Sequence, residues 1–186
     1  MSIQIFKNIF DEETYEEIVK YAIETLNHGG NNFTTNRHWQ YEILKDSAPV
    51  MIHNMNHSSF LYLKMKKILE SKTNMTVTKG NIMIYYWNRY SYIPWHNDYT
   101  YDGAITVYLN RHWHPDFGGY FLYTERKVFI DKDDFELENP PEDIRAIIPQ
   151  KNLGVLQKDG IHHCTTPVNF SGDIRLTVQA FLENKK

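Results

Sequence analysis

The chain has 186 residues, enough for one domain with a sizeable buried core. A formal charge of -3 gives no electrostatic signature for nucleic acid or an anionic membrane surface. The single cysteine, Cys164, forms no intramolecular disulfide, and no apolar N-terminal run reads as a signal peptide or membrane span, so a reducing compartment, the cytoplasm, is expected.

In chain order, Ile3, Ile5 and Phe6 make a short apolar start. Asp11, Glu12 and Glu13 then precede Ile18, Val19, Ala22, Ile23 and Leu26, a helical spacing that predicts a helix from about Asp11 to Asn27, ended by Gly29-Gly30. Asn31 to His57 has no sustained period, and Asn36–Tyr41 reads as a loop or short strand presenting polar side chains. A second helix is predicted over Ser58–Ser71, with Lys64, Lys66 and Lys67 on its solvated surface.

From Thr76 the texture becomes that of strands: Ile82–Trp87, Ala104–Leu109, Tyr120–Thr124, Lys127–Ile130, Ile144–Ile148, Leu153–Leu156 and Ile174–Leu182. The acidic, proline-containing stretch Asp131–Asp143 reads as an excursion from the core. Helices followed by many short strands predict an α+β, mainly β chain whose body is a sandwich or jelly roll. No linker is apparent, so a single domain is expected, with helical support over about 1–75 and a β core over about 76–183. The aromatic content of 15% suits the interior of such a fold or the walls of a polar pocket.

Chemistry concentrates at His96-Asn97-Asp98. On a strand, residues two apart project to one face, so an imidazole and a carboxylate converge there as two ligands of a metal site. Two His and one carboxylate on one side of an ion, with open positions opposite, favour non-haem Fe(II). A third ligand is available downstream at His162 or His163, which face opposite ways on a strand. Arg175 opens the last apolar strand, where a buried guanidinium requires an anionic partner and can clamp a carboxylate by two parallel hydrogen bonds.

The ordered set His96/Asp98, Tyr108-Leu109-Asn110, Gly118-Gly119, His163 with Pro167-Val168, and Arg175 resembles the prolyl hydroxylase group of 2-oxoglutarate- and Fe(II)-dependent oxygenases, over about residues 82–183. The resemblance implies a double-stranded β-helix with Fe(II) held by His96, Asp98 and His163, the last chosen because family members often place a Pro four residues after this ligand. It implies 2-oxoglutarate and O₂ as co-substrates, with ascorbate as a possible accessory. Arg175 matches the basic residue that receives the distal carboxylate of 2-oxoglutarate, Tyr108 and Tyr86 match pocket tyrosines, and Thr106 shares a strand face with Tyr108.

The implied reaction hydroxylates a C–H bond with release of succinate and CO₂. The expected substrate is a peptidyl proline, with Arg37, Trp39 and Tyr101 as candidate contacts and the 31–41 and 131–143 segments as candidate lids. A free amino acid or other small metabolite is the alternative substrate, and a non-catalytic jelly-roll binding module the alternative of a different class. Asp98 argues against halogenation, since related halogenases lack that carboxylate. Phe181, at a place where nucleic-acid demethylases carry a second Arg, argues against that activity. Two features depart from the family pattern: Arg175 follows His163 by twelve residues, a little farther than usual, and Cys164 adjoins the proposed ligand.

Overall fold

The computed structural model describes residues 2–29, 34–35, 50–98, 100–125, 143–169 and 174–185. Predicted features at Lys127–Ile130, most of the 31–41 and 131–143 segments, and Arg37 and Trp39 lie outside the described residues.

Both predicted helices are present. Asp11 caps α1 (Glu12–His28), its carboxylate accepting from the Thr14 N–H at 2.7 Å, and Glu12 and Glu13 occupy the positive end of the helix dipole. Ser59 caps α2 (Phe60–Thr73), accepting from the Tyr62 N–H at 3.2 Å, and Asn74 ends it in the left-handed conformation at φ 56°. Part of the basic cluster on α2 does more than face solvent: Lys64 reaches Glu17 of α1 at 2.8 Å, joining the two helices.

The strands are β1 (Ile3–Phe6), β2 (Thr34–Thr35), β3 (Met51–Asn54), β4 (Met75–Trp87), β5 (Ile93–His96), β6 (Gly103–Tyr108), β7 (Phe121–Thr124), β8 (Arg145–Ile147), β9 (Gly154–Lys158), β10 (His162–Thr165) and β11 (Arg175–Asn184). They form a seven-stranded sheet in the order β1-β9-β6-β11-β4-β3-β2 and a four-stranded sheet in the order β5-β10-β7-β8. Every pairing is antiparallel. This is the expected jelly roll. The N-terminal part is more than helical support, because β1, β2 and β3 all join the major sheet.

Strand parity decides which side chains can do chemistry. On β11, Leu176, Val178, Ala180 and Leu182 pack with Ile82, Ile84 and Tyr86 of β4 and with Ile105 and Val107 of β6 in a core that also contains Tyr15, Ile18 and Ala22 of α1 and Met65 and Leu69 of α2. Each fully buried aliphatic side chain there contributes about 1.5–3 kcal/mol. The alternate residues, including Arg175, Thr177, Tyr108, Tyr85 and Trp87, belong to the other face of the sheet. Between the sheets, Tyr108 and Val155 of the major sheet cluster with Phe121, Tyr123 and Ile147 of the minor one. No helix among the described residues is long and apolar enough to cross a membrane.

Candidate metal centre

His96 ends β5 and His163 lies directly opposite it on β10, so the antiparallel register alone brings two imidazoles together. Their ring centroids are 4.1 Å apart. Asp98, two residues past His96, adds its carboxylate: His96 Nε2 to Oδ1 and His163 Nε2 to Oδ2 are both 3.7 Å. One ligand atom from each of the three residues lies within 4.8 Å of the others. Phe121 stacks on His163 at 5.1 Å and fixes the plane of its ring.

Hydrogen bonding settles the tautomers. His96 Nδ1 lies 2.8 Å from the Pro94 carbonyl and His163 Nδ1 lies 2.9 Å from the Ile161 carbonyl. A carbonyl only accepts, so each Nδ1 carries the proton and each Nε2 turns a lone pair toward the cluster, the arrangement usual for metal-ligating histidines. Burial holds the His163 imidazole well below its ordinary pKa, reinforced by His96, and pushes the Asp98 carboxyl up against the opposing effects of His96 and Gln157. Both shifts favour neutral groups, and a divalent cation would favour carboxylate and neutral imidazole together. Two nitrogen donors and one carboxylate on a single side fit non-haem Fe(II).

His162 is turned away from this cluster, as the alternation along β10 requires. Its Nε2 lies 3.2 Å from Asn97 Nδ2. Cys164 points the same way and is buried, with its thiol pushed up to about 12, so it is held as an unreactive thiol beside the proposed ligand.

A second polar group sits on the face of the major sheet that carries Tyr108 and Thr177. Arg175 is 1% exposed, with Trp87 at 4.5 Å and Tyr108 at 5.1 Å from its guanidinium carbon. Burial lowers its pKa to about 10, with Tyr108 opposing. Among the described residues, Arg175 Nε and Nη1 and the Tyr108 hydroxyl are buried with no hydrogen-bond partner. Buried donors of this kind are costly unless something anionic meets them.

The paired motifs seen in the sequence explain how this arginine is seated. Gly118 bridges Val168, and the Gly119 N–H donates to the Pro167 carbonyl at 3.1 Å. A Cβ on Gly119, at φ +66°, would stand 2.8 Å from Arg175 Cδ, so only glycine leaves room for the guanidinium stem. Asn110 holds the strand from the other side: its Nδ2 donates to the Ile174 carbonyl at 2.9 Å, and its Oδ1 accepts from the Leu176 N–H at 2.7 Å.

Of the other predicted residues, Thr106 lies between the two ends of this face, with its hydroxyl on Gln179. Tyr101 sits by the metal cluster: its N–H donates to the Asp98 carbonyl at 2.9 Å and its ring stacks on Phe181 at 4.3 Å. Tyr86 requires a correction. It faces the helices, and its hydroxyl donates to the Ala22 carbonyl at 2.9 Å, so it lies across the sheet from Arg175.

The neighbour, Tyr85, occupies the face assigned to Tyr86; burial raises its phenol, and Asp98 and Tyr101 add to the shift. The alternation Met83, Tyr85, Trp87 against Ile82, Ile84, Tyr86 carried this information, but only once one strand face was known. Gln157 was also missed, because the strand was expected to end at Leu156. It is buried, and its Nε2 contacts Asp98 Oδ2 and lies 3.0 Å from His163 Nε2.

The described chain is thus a jelly roll with a His-Asp-His cluster whose histidines lie on the minor sheet and a buried arginine on the major sheet. Several solved structures share this fold. A prolyl-4-hydroxylase from Pseudomonas putida superposes with a TM-score of 0.69 over 100% of this chain and 94% of its own, at 10% identity. A prolyl hydroxylase from Trichoplax adhaerens, solved with a hypoxia inducible factor peptide fragment, gives 0.73 over 98% and 84% at 13% identity. The α-ketoglutarate-dependent epimerase SnoN from nogalamycin biosynthesis gives 0.72 over 98% and 78% at 10% identity. At these identities the likeness establishes the fold. No protein-family model and no curated protein matches the sequence.

Proposed function

We infer that the protein is an Fe(II)- and 2-oxoglutarate-dependent oxygenase that hydroxylates a C–H bond, with a peptidyl proline as its substrate. One observation carries this reading: Gln157, which contacts the metal-type cluster, and Arg175, whose buried donors are unpaired among the described residues, share one face of the major sheet. A module that only binds a metal has no use for the second group.

Fe(II) with 2-oxoglutarate and O₂ supplies the oxidative chemistry, which yields succinate, CO₂ and hydroxylated product. The chain's own residues provide positions. His96 Nε2, His163 Nε2 and an Asp98 oxygen would hold the ion. Arg175 and the Tyr108 hydroxyl receive the distal carboxylate by charge-assisted hydrogen bonds, which offsets the cost of their burial. Trp87 and Tyr108 keep the guanidinium in place, and Tyr85 together with the Tyr101–Phe181 stack walls the metal end with aromatic surface.

Peptidyl proline is favoured because two of the proteins sharing this fold are prolyl hydroxylases, one of them solved with a bound peptide. The test is succinate formation from 2-oxoglutarate with added Fe(II), followed by mass spectrometry across proline-containing peptides and free amino acids for a gain of one oxygen atom. Oxygenation of free amino acids alone would replace the peptide by a small metabolite. No succinate under any of these conditions would remove the oxygenase reading.

A further inference from the structure

Gln157 stands on β9 opposite Ala104 of β6 and Ile3 of β1, with its side chain buried at the metal cluster. Its terminal nitrogen contacts Asp98 Oδ2 and lies 3.0 Å from His163 Nε2. An amide nitrogen has two protons to give. His163 has committed its Nδ1–H to the Ile161 carbonyl, so its Nε2 accepts. One neutral donor therefore serves lone pairs on two of the three cluster residues at once. The other end of the amide, Oε1, is buried without a partner among the described residues. Flipping the amide would set Oε1 against the His163 Nε2 lone pair, acceptor to acceptor, so the nitrogen faces the cluster.

We propose that Gln157 is a positioning residue of this metal centre. In the metal-free protein its amide takes the place of the ion, holding Asp98 and His163 close to their binding geometry by neutral hydrogen bonds. When the ion enters, the His163 Nε2 lone pair turns to the metal and that contact ends. The bond to Asp98 Oδ2 would remain, so that Asp98 would offer Oδ1 to the ion. Partners of ligating groups held in this way set metal affinity by about 10–100-fold. This role rests on the metal-centre part of the function proposed above.

The test uses Co(II) as a spectroscopic probe of the whole chain. Gln157→Leu keeps much of the side-chain volume and removes both donors; it is expected to weaken Co(II) binding about tenfold and to change the ligand-field spectrum, because Asp98 becomes free to turn. Gln157→Met is the second variant, and circular dichroism checks that each is folded. In the wild-type protein, the Gln157 side-chain amide protons are followed by NMR during titration with diamagnetic Zn(II).

One proton is expected to keep its hydrogen-bonded shift and the other to move as His163 is released. Folded variants that bind Co(II) within twofold of wild type with the same spectrum overturn the role of Gln157 and leave the metal centre standing. Gln157 amide protons that ignore Zn(II) overturn it even where neither variant folds. Wild-type protein that binds neither metal removes the metal centre, and this role with it.

Discussion

His96 and His163 face each other across the β5–β10 pair, and each donates its Nδ1–H to the carbonyl two residues earlier in the chain, Pro94 and Ile161. Neither ring is free to turn, and both Nε2 lone pairs are presented at one point. His162, one residue away, has its Nε2 beside Asn97 instead. His163→Ala and His96→Ala are therefore expected to lower Co(II) or Fe(II) affinity by more than the roughly 10–100-fold that loss of an outer partner produces. His162→Ala is expected to leave it nearly unchanged. Metal titration by calorimetry compares them; a greater loss at His162 reverses the assignment.

Gly119 and Arg175 are coupled by space. Gly119→Ala places a methyl group 2.8 Å from Arg175 Cδ at a φ of +66°, a backbone region that costs a residue with a side chain about 1–2 kcal/mol. The variant is expected to raise the 2-oxoglutarate requirement while leaving metal affinity near wild type. Arg175→Met removes the guanidinium itself and is expected to raise that requirement on the order of 100-fold, the scale of a lost buried charge-assisted pair. Steady-state kinetics in 2-oxoglutarate measures both; an unchanged requirement in Arg175→Met contradicts the clamp.

Tyr85 and Tyr86 separate packing from site. Tyr86→Phe loses the hydrogen bond to the Ala22 carbonyl and is expected to cost about 1 kcal/mol of stability with no change in 2-oxoglutarate requirement. Tyr85→Phe is expected to do the reverse, altering turnover more than stability. Thermal unfolding beside kinetics distinguishes the two.

Much of the site was legible because its rules are local. The spacing of His96 and Asp98 places two ligands on one face, and Arg175 announced itself as a cation opening an apolar strand. What escaped depended on register. Tyr86 rested on the family resemblance, and a run of β-branched and aromatic residues buried on both faces shows no alternation in polarity that would single out Tyr85. Gln157 reaches Asp98 across 59 positions of sequence, and only the pairing of β9 with β6 brings it there. β1 and β3 were read as an apolar start and an irregular stretch, since four-residue strands give too few alternations to recognise.

Asn110 ties the two backbone groups that flank Arg175, Ile174 C=O and Leu176 N–H. Asn110→Ala removes both bonds, at about 1–3 kcal/mol for the unpaired groups. It is expected to lower stability and to loosen 2-oxoglutarate binding together, since the strand that aims Arg175 loses its anchor. Denaturant unfolding and 2-oxoglutarate calorimetry on the same sample check this; a stability loss with unaltered binding would confine Asn110 to the fold.

The most direct measurement of the central reading is an anaerobic titration of the protein with Fe(II) and 2-oxoglutarate, followed by visible absorption with calorimetry alongside. The expected result is a metal-to-ligand charge-transfer band that saturates at one equivalent of each, is lost in Asp98→Ala and needs far more 2-oxoglutarate in Arg175→Met. No band, together with no heat of 2-oxoglutarate binding to the wild-type protein, would contradict it.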